Sequence, residues 1–301
     1  MSTDDNKTKL YHYDPSFGLA IAATAIFGAV FVGHVFLMMR HKAWYMAPFV
    51  VGVFGECAGY AVRRISAAKP HNTMLYIIQE MFIILAPACM AASHYMCFGR
   101  LITYVGEKYS PVRARRVTAV FVTFDVASFC IQGGGGALYS GNNTKNFRLA
   151  KAVLTVGFLI QIISFGIFAI FAIIYQTRAR RAGEPAGMWT RCLYTLYIGT
   201  VLILIRGIYR TVSFASGDVT TGGYLLSHEG WYYGLETLPI LLCTIFFLIS
   251  YPGKLISSDR SLRLHPEQAS GVHLGTYASA ASAGSDEEKG GMFSGRFRRN
   301  Y

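Results

Sequence analysis

Seven mostly apolar runs, each broken by only a few polar positions, alternate along the chain with short polar segments. They cover roughly Phe17–Met39, Trp44–Val62, Met74–Phe98, Val117–Leu138, Ala152–Tyr175, Arg191–Phe214 and Trp231–Tyr251. Runs of about 20 apolar residues are long enough to cross ~30 Å of hydrocarbon as helices. They are continuous rather than alternating, which argues against a β-barrel. No internal repeat is visible, and an odd number of spans argues against a two-fold inverted duplication. The pattern predicts an all-α polytopic membrane protein, a seven-helix transmembrane bundle over residues 17–256. An exterior tail (1–16) precedes it and a disordered cytoplasmic tail (257–301) follows.

The polar positions inside the runs carry the chemistry. Arg206 and Arg210 stand one helical turn apart in the sixth run. An arginine stays protonated at ordinary pH, and at mid-bilayer it costs at least ~2.5–3.5 kcal/mol on insertion scales. In the second run Glu56, Gly59, Tyr60 and Arg63 share a face, as do Asp125, Ser128 and Gln132 in the fourth and Glu229, Tyr233 and Glu236 in the seventh. The third run supplies Gln79 and Glu80, then Pro87, which frees a backbone carbonyl and kinks the helix. The fifth supplies Gln161. Lipid does not solvate such faces, so they share an interior.

Rise per residue gives their depth. Arg206, Glu80 and Glu236 fall roughly 21–22 Å from the cytoplasmic ends of their helices, Glu56 roughly 18 Å and Asp125 roughly 12 Å. The pattern predicts a polar cavity in the outer half of the bundle, with Arg206 paired to Glu56 or Glu236. Arg210, nearer the outer boundary, is expected to meet a headgroup. His34 and His94 are expected to be hydrogen-bonded interior residues rather than haem ligands. Gly133–Gly136 is expected to mark close packing or the end of the fourth helix.

Composition agrees: 53% of residues are hydrophobic and only 15% charged, against about 25% charged in soluble domains. The net charge of +12 reflects topology rather than nucleic acid. With the N-terminus outside, eighteen cations fall in cytoplasmic segments and eight in exterior ones, the arrangement of the positive-inside rule. Two sequons, Asn6-Lys7-Thr8 and Asn142-Asn143-Thr144, fall outside in that topology and make a glycoprotein possible. The first sixteen residues are polar and the first run is too long for a signal peptide, so the first helix should serve as an uncleaved anchor. The six cysteines lie in or beside spans, with no disulfide framework expected. No CxxC, HExxH or nucleotide-binding loop is present, so neither metal nor cofactor is expected and direct ATP drive is excluded. In the tail, Ser285–Glu288 is expected to be a solvated linker and Arg296–Arg299 a weak contact for anionic lipid.

Several blocks, in order over about residues 11 to 255, resemble the fungal lipid-translocating exporter family of RTA-like seven-helix proteins. They are Glu56, Gly59, Tyr60 and Arg63; Gln79; Leu85-Ala86-Pro87, Tyr95 and Arg100; Asp125, Ser128, Gln132 and Gly135; Gly157 and Gln161; Arg206, Tyr209 and Arg210; Glu229 and Tyr233; and Pro252-Gly253. The chain departs from the family pattern at Ser213, where an acid is common, at Glu236, where Asp is usual, and at Tyr251, which replaces His. The resemblance implies plasma-membrane residence and movement of amphiphilic lipids, such as sphingoid long-chain bases, or of porphyrin or haem.

On that reading the chain is no enzyme, and its partners are membrane lipids and an amphiphilic small molecule. The site comprises Glu56, Tyr60, Gln79, Glu80, Asp125, Gln132, Gln161, Arg206, Arg210, Glu229, Tyr233 and Glu236. Glu56, Asp125 or Glu236 would receive an amine, and Arg206 or Arg210 a phosphate. A lipid sensor is the alternative, although the third helix lacks a Glu/Asp-Arg-Tyr turn and the seventh lacks Asn-Pro-x-x-Tyr. An intramembrane hydrolase would need more histidines around a zinc.

Overall fold

The computed structural model describes residues 17–68, 72–139, 144–216 and 229–255. The asparagines of both sequons, the N-terminal tail and the C-terminal tail lie outside the described residues.

Among the described residues, seven helical segments are long and apolar enough to cross a membrane, and no strand occurs. Six are continuous: α1 (Phe17–Arg40), α2 (Ala47–Ala68), α3 (Thr73–Val105), α4 (Ala114–Tyr139), α5 (Thr144–Arg181) and α6 (Met188–Ser216). The seventh is built from α7 (Glu229–Tyr232), a π-helical turn (Tyr233–Thr237) and α8 (Leu238–Ile249), with a short α9 (Pro252–Leu255) after it. Consecutive helices pack side by side, and α6 also packs on α3 and α8.

The ends follow local chemistry. Asn72 caps α3, its side-chain oxygen accepting from the N–H groups of Met74 (3.1 Å) and Leu75 (3.3 Å). Past the end of α5, Gly183 takes φ +83° and the Glu184 N–H reaches back to the Ala179 carbonyl at 3.2 Å. This closure uses the positive φ that glycine adopts without strain. α2 runs past the apolar stretch to Ala68, so Arg63 is a buried helix residue and not an exterior-loop cation.

Leu, Ile, Val and Phe side chains exposed along α1, α4, α5 and α6 are what a lipid-facing bundle requires. Small residues set the close approaches. A Cβ on Gly52 would lie 2.6 Å from the Ala86 carbonyl, and one on Gly157 would lie 2.6 Å from Gln132. α4 continues through Gly133–Gly136, so these glycines do not end it. Gly135 packs on Leu154, while Gly134 and Gly136 face open space. Lower in the bundle, buried Cys97 on α3 and buried Cys192 on α6 bring their Sγ atoms to 3.6 Å.

Candidate functional site

Pro87 sits inside α3. A proline there lacks the N–H that would bond the carbonyl four residues back, which is Ile83. Arg206 takes that carbonyl: its Nη2 donates to the Ile83 oxygen at 2.6 Å. The same nitrogen lies 2.7 Å from Glu236 Oε1. The proline in α3 thus leaves a backbone acceptor for an arginine of α6.

Glu236 is shared. Its second oxygen lies 2.5 Å from Arg210 Nε, and Arg210 Nη1 lies 2.7 Å from Glu80 Oε2. One carboxylate therefore bridges two guanidiniums one helical turn apart, and a second carboxylate holds the outer of them. Arg206, Arg210 and Glu236 are all at most 5% exposed. Arg206 chooses Glu236 rather than Glu56. Arg210 is not turned to a headgroup but is committed to two acids. In so dry a setting each guanidinium needs these partners.

The π turn makes the bridge. Glu236 lies within it, and the Leu238 N–H bonds the Tyr233 carbonyl five residues back. Pro239 follows at the start of α8; it has no N–H for the Leu235 carbonyl and its ring crowds that group, which favours the wider turn. Periodicity did not foretell this, although Pro239 was the available signal.

Around this centre lie further polar groups. The Tyr60 hydroxyl is 2.5 Å from Thr237 Oγ1, and its ring stacks on Phe27 at 5.5 Å. Arg63 reaches Glu229 at 3.7 Å and lies over the Tyr232 ring at 4.3 Å and the Tyr233 ring at 5.7 Å. Gln79 donates to Glu80 at 3.3 Å. Tyr232 and Thr237 had not been singled out from sequence. Glu56, 1% exposed, faces the same group, its electrostatic neighbours being Arg206, Glu236, Arg210 and Glu80. It enters none of the ion pairs, and its Oε1 has no hydrogen-bond partner among the described residues.

Gln132 and Gln161 form a separate seam between α4 and α5, and Asp125 turns to α3. Ser128 Oγ donates to the Gly157 carbonyl at 2.6 Å, and Gln132 Nε2 donates to Ser128 Oγ at 2.8 Å and to Gln161 Oε1 at 3.4 Å. Asp125 accepts from the Tyr95 hydroxyl at 2.8 Å. Gln161 also lines a cavity of about 20 Å³ with Pro87 and Arg206, the space of one water. A larger groove of about 400 Å³ between α4 and α5 is walled by Val120, Phe121, Phe124, Ile163 and Ile167, with Arg116 also on its lining.

His34 and His94 are interior hydrogen-bonded residues: His34 Nε2 donates to the Thr244 carbonyl at 3.0 Å and His94 Nδ1 to the Met90 carbonyl at 2.9 Å. Among the described residues no three of His, Cys, Asp or Glu are grouped to hold a metal ion.

Relatives share this chain over most of its length. Protoporphyrin uptake protein 1 of Saccharomyces cerevisiae is 31% identical over 83% of this chain and 94% of its own. Protein RTA1 of the same yeast is 30% identical over 81% and 85%. The more distant sphingoid long-chain base transporter RSB1 of that species is 21% identical over 79% and 72%. No solved structure matches the chain. The family model described as RTA1 like protein matches residues 49–259, the region that holds every member of the ion cluster, and the chain is a multi-pass membrane protein belonging to that RTA1-like family.

Proposed function

We propose that this protein moves a cationic, single-tailed amphiphile of the sphingoid-base class across the bilayer, with Glu56 receiving the amine. The carrying observation is the division among the acids. Glu236, Glu80 and Glu229 already hold guanidiniums, whereas Glu56 is buried with an oxygen that no donor among the described residues reaches. Such a group is costly unless a partner arrives, and an ammonium is the complementary one. The name of a sphingoid long-chain base transporter among the relatives supports the same class.

A porphyrin, suggested by another relative's name, would bring carboxylates. These suit arginines, but Arg206 and Arg210 are occupied by glutamates. In this reading the N-terminus is outside, the C-terminus cytoplasmic and the site in the outer half, as positive-inside counting supports. The plasma membrane is the proposed location, transport rather than catalysis the activity.

Reconstituted protein should carry a labelled sphingoid base across protein-only liposomes, chemically unchanged, with Glu56→Gln reducing the flux to background. Binding without flux would assign the site to sensing, and an altered product would assign it to an enzyme.

A further inference from the structure

Among the described residues, the charges at the centre of the bundle do not balance. Arg206 and Arg210 bring two positive charges; Glu56, Glu80 and Glu236 bring three carboxylates. Arg63 on the same helix face is turned toward Glu229 and the Tyr232 ring. A buried excess charge is unstable in a medium that solvates ions poorly. The group is neutral when one further positive charge resides on it, and Glu56, outside the ion pairs, is where that charge belongs.

Among the described residues, the groups facing Glu56 from each packed element are few. Its own helix contributes Tyr60, which Arg63 also neighbours, α3 contributes Glu80, α6 contributes Arg206 and Arg210, and the π turn contributes Glu236. α1 presents the Phe27 ring, stacked on Tyr60; its one buried titratable side chain, His34, is tied to Thr244. None of these is an unclaimed cation.

Building on the transport reading above, we infer that Glu56 trades a proton for the cationic head of the amphiphile, one for one. In the empty site the carboxyl carries the proton. When the ammonium arrives, the O–H bond breaks, the proton leaves to water and the carboxylate holds the cation. When the cation departs, a proton returns. The site bears the same net charge in both states, so neither state leaves a buried carboxylate unpaired. Exchange of this kind couples lipid movement to a proton gradient and needs no nucleotide.

The test must bar passive passage of the neutral amine. A sphingoid base carrying a permanently charged N,N,N-trimethylammonium head meets that need. Purified full-length protein in liposomes, with a pH-sensitive dye inside, should move this probe with one proton in the opposite direction for each molecule carried. A pH gradient should drive its accumulation. Glu56→Gln, which keeps the size and the Arg206–Glu236–Arg210 ion pairs, should abolish the counterflow of protons and the gradient-driven accumulation. Elution as a single species with an unchanged unfolding midpoint would show that the variant folds. Probe flux without proton counterflow would overturn the exchange while leaving the transport reading intact, whereas wild-type counterflow in Glu56→Gln would overturn both the exchange and the assignment of Glu56 as the amine's receiver. Absence of wild-type flux for both the natural base and the probe would overturn both.

Discussion

Replacing Pro87 by alanine sets two effects against each other. An interior helical proline costs about 3 kcal/mol relative to alanine, so the substitution should strengthen α3. The restored N–H at position 87 bonds the Ile83 carbonyl. That carbonyl is the acceptor Arg206 Nη2 holds at 2.6 Å, and losing a hydrogen bond to a charged group costs about 1.5–3 kcal/mol. The difference leaves Pro87→Ala more stable than the parent by about 0–1.5 kcal/mol. Arg206 would then keep only Glu236, and the geometry of the shared carboxylate would relax. The variant should therefore match or exceed the parent in thermal unfolding in detergent, protect the new amide at 87 from hydrogen exchange, and lose most of its lipid flux. A lower unfolding midpoint would show that the proline is needed for packing instead. Unchanged flux would show that the Ile83 carbonyl has no part in the site.

Two further outcomes follow from the same geometry. Arg206→Met or Glu236→Leu alone should each cost about 3–5 kcal/mol, because each leaves an uncompensated excess of buried charge, and the double variant should cost clearly less than the sum; thermal unfolding of the four proteins measures the coupling, and simple additivity would contradict the pair. Within the glycine run, Gly135→Ala should destabilise by about 1–3 kcal/mol through overpacking against Leu154, 2.8 Å from the added Cβ. Gly136→Ala, facing open space, should be neutral or mildly stabilising, and equal unfolding midpoints for the two would refute the packing argument.

The seven spans were legible because each hydrophobic run exceeds the bilayer width, and rise per residue narrowed the partner of Arg206 to Glu56 or Glu236, between which the structure chooses Glu236. Arg210 was misjudged for a local reason. Counting from the cytoplasmic end put it near the surface, yet α6 continues to Ser216, and the π turn carries Glu236 across to it. A π turn changes the register of every later side chain, and no hydropathy pattern announces it. The proline in α3 was read correctly as freeing a carbonyl, but the recipient lay 123 residues away, a distance that spacing rules do not bridge. Asp125 and Gln132 were grouped with the charged residues, whereas the structure places Gln132 in the α4–α5 amide seam and Asp125 against Tyr95.

The thiols of Cys97 and Cys192, 3.6 Å apart, lie on the same two helices that share the Ile83–Arg206 bond. Joining them, with two protons and two electrons removed by an added oxidant, would turn a packing contact into a covalent strap. A working stroke that separates α3 from α6 would then stall, while one that carries the two helices as a single body would run unhindered. The chain thus contains a native mechanical gauge, reversible with a reductant, that reports which helices part company as the protein works.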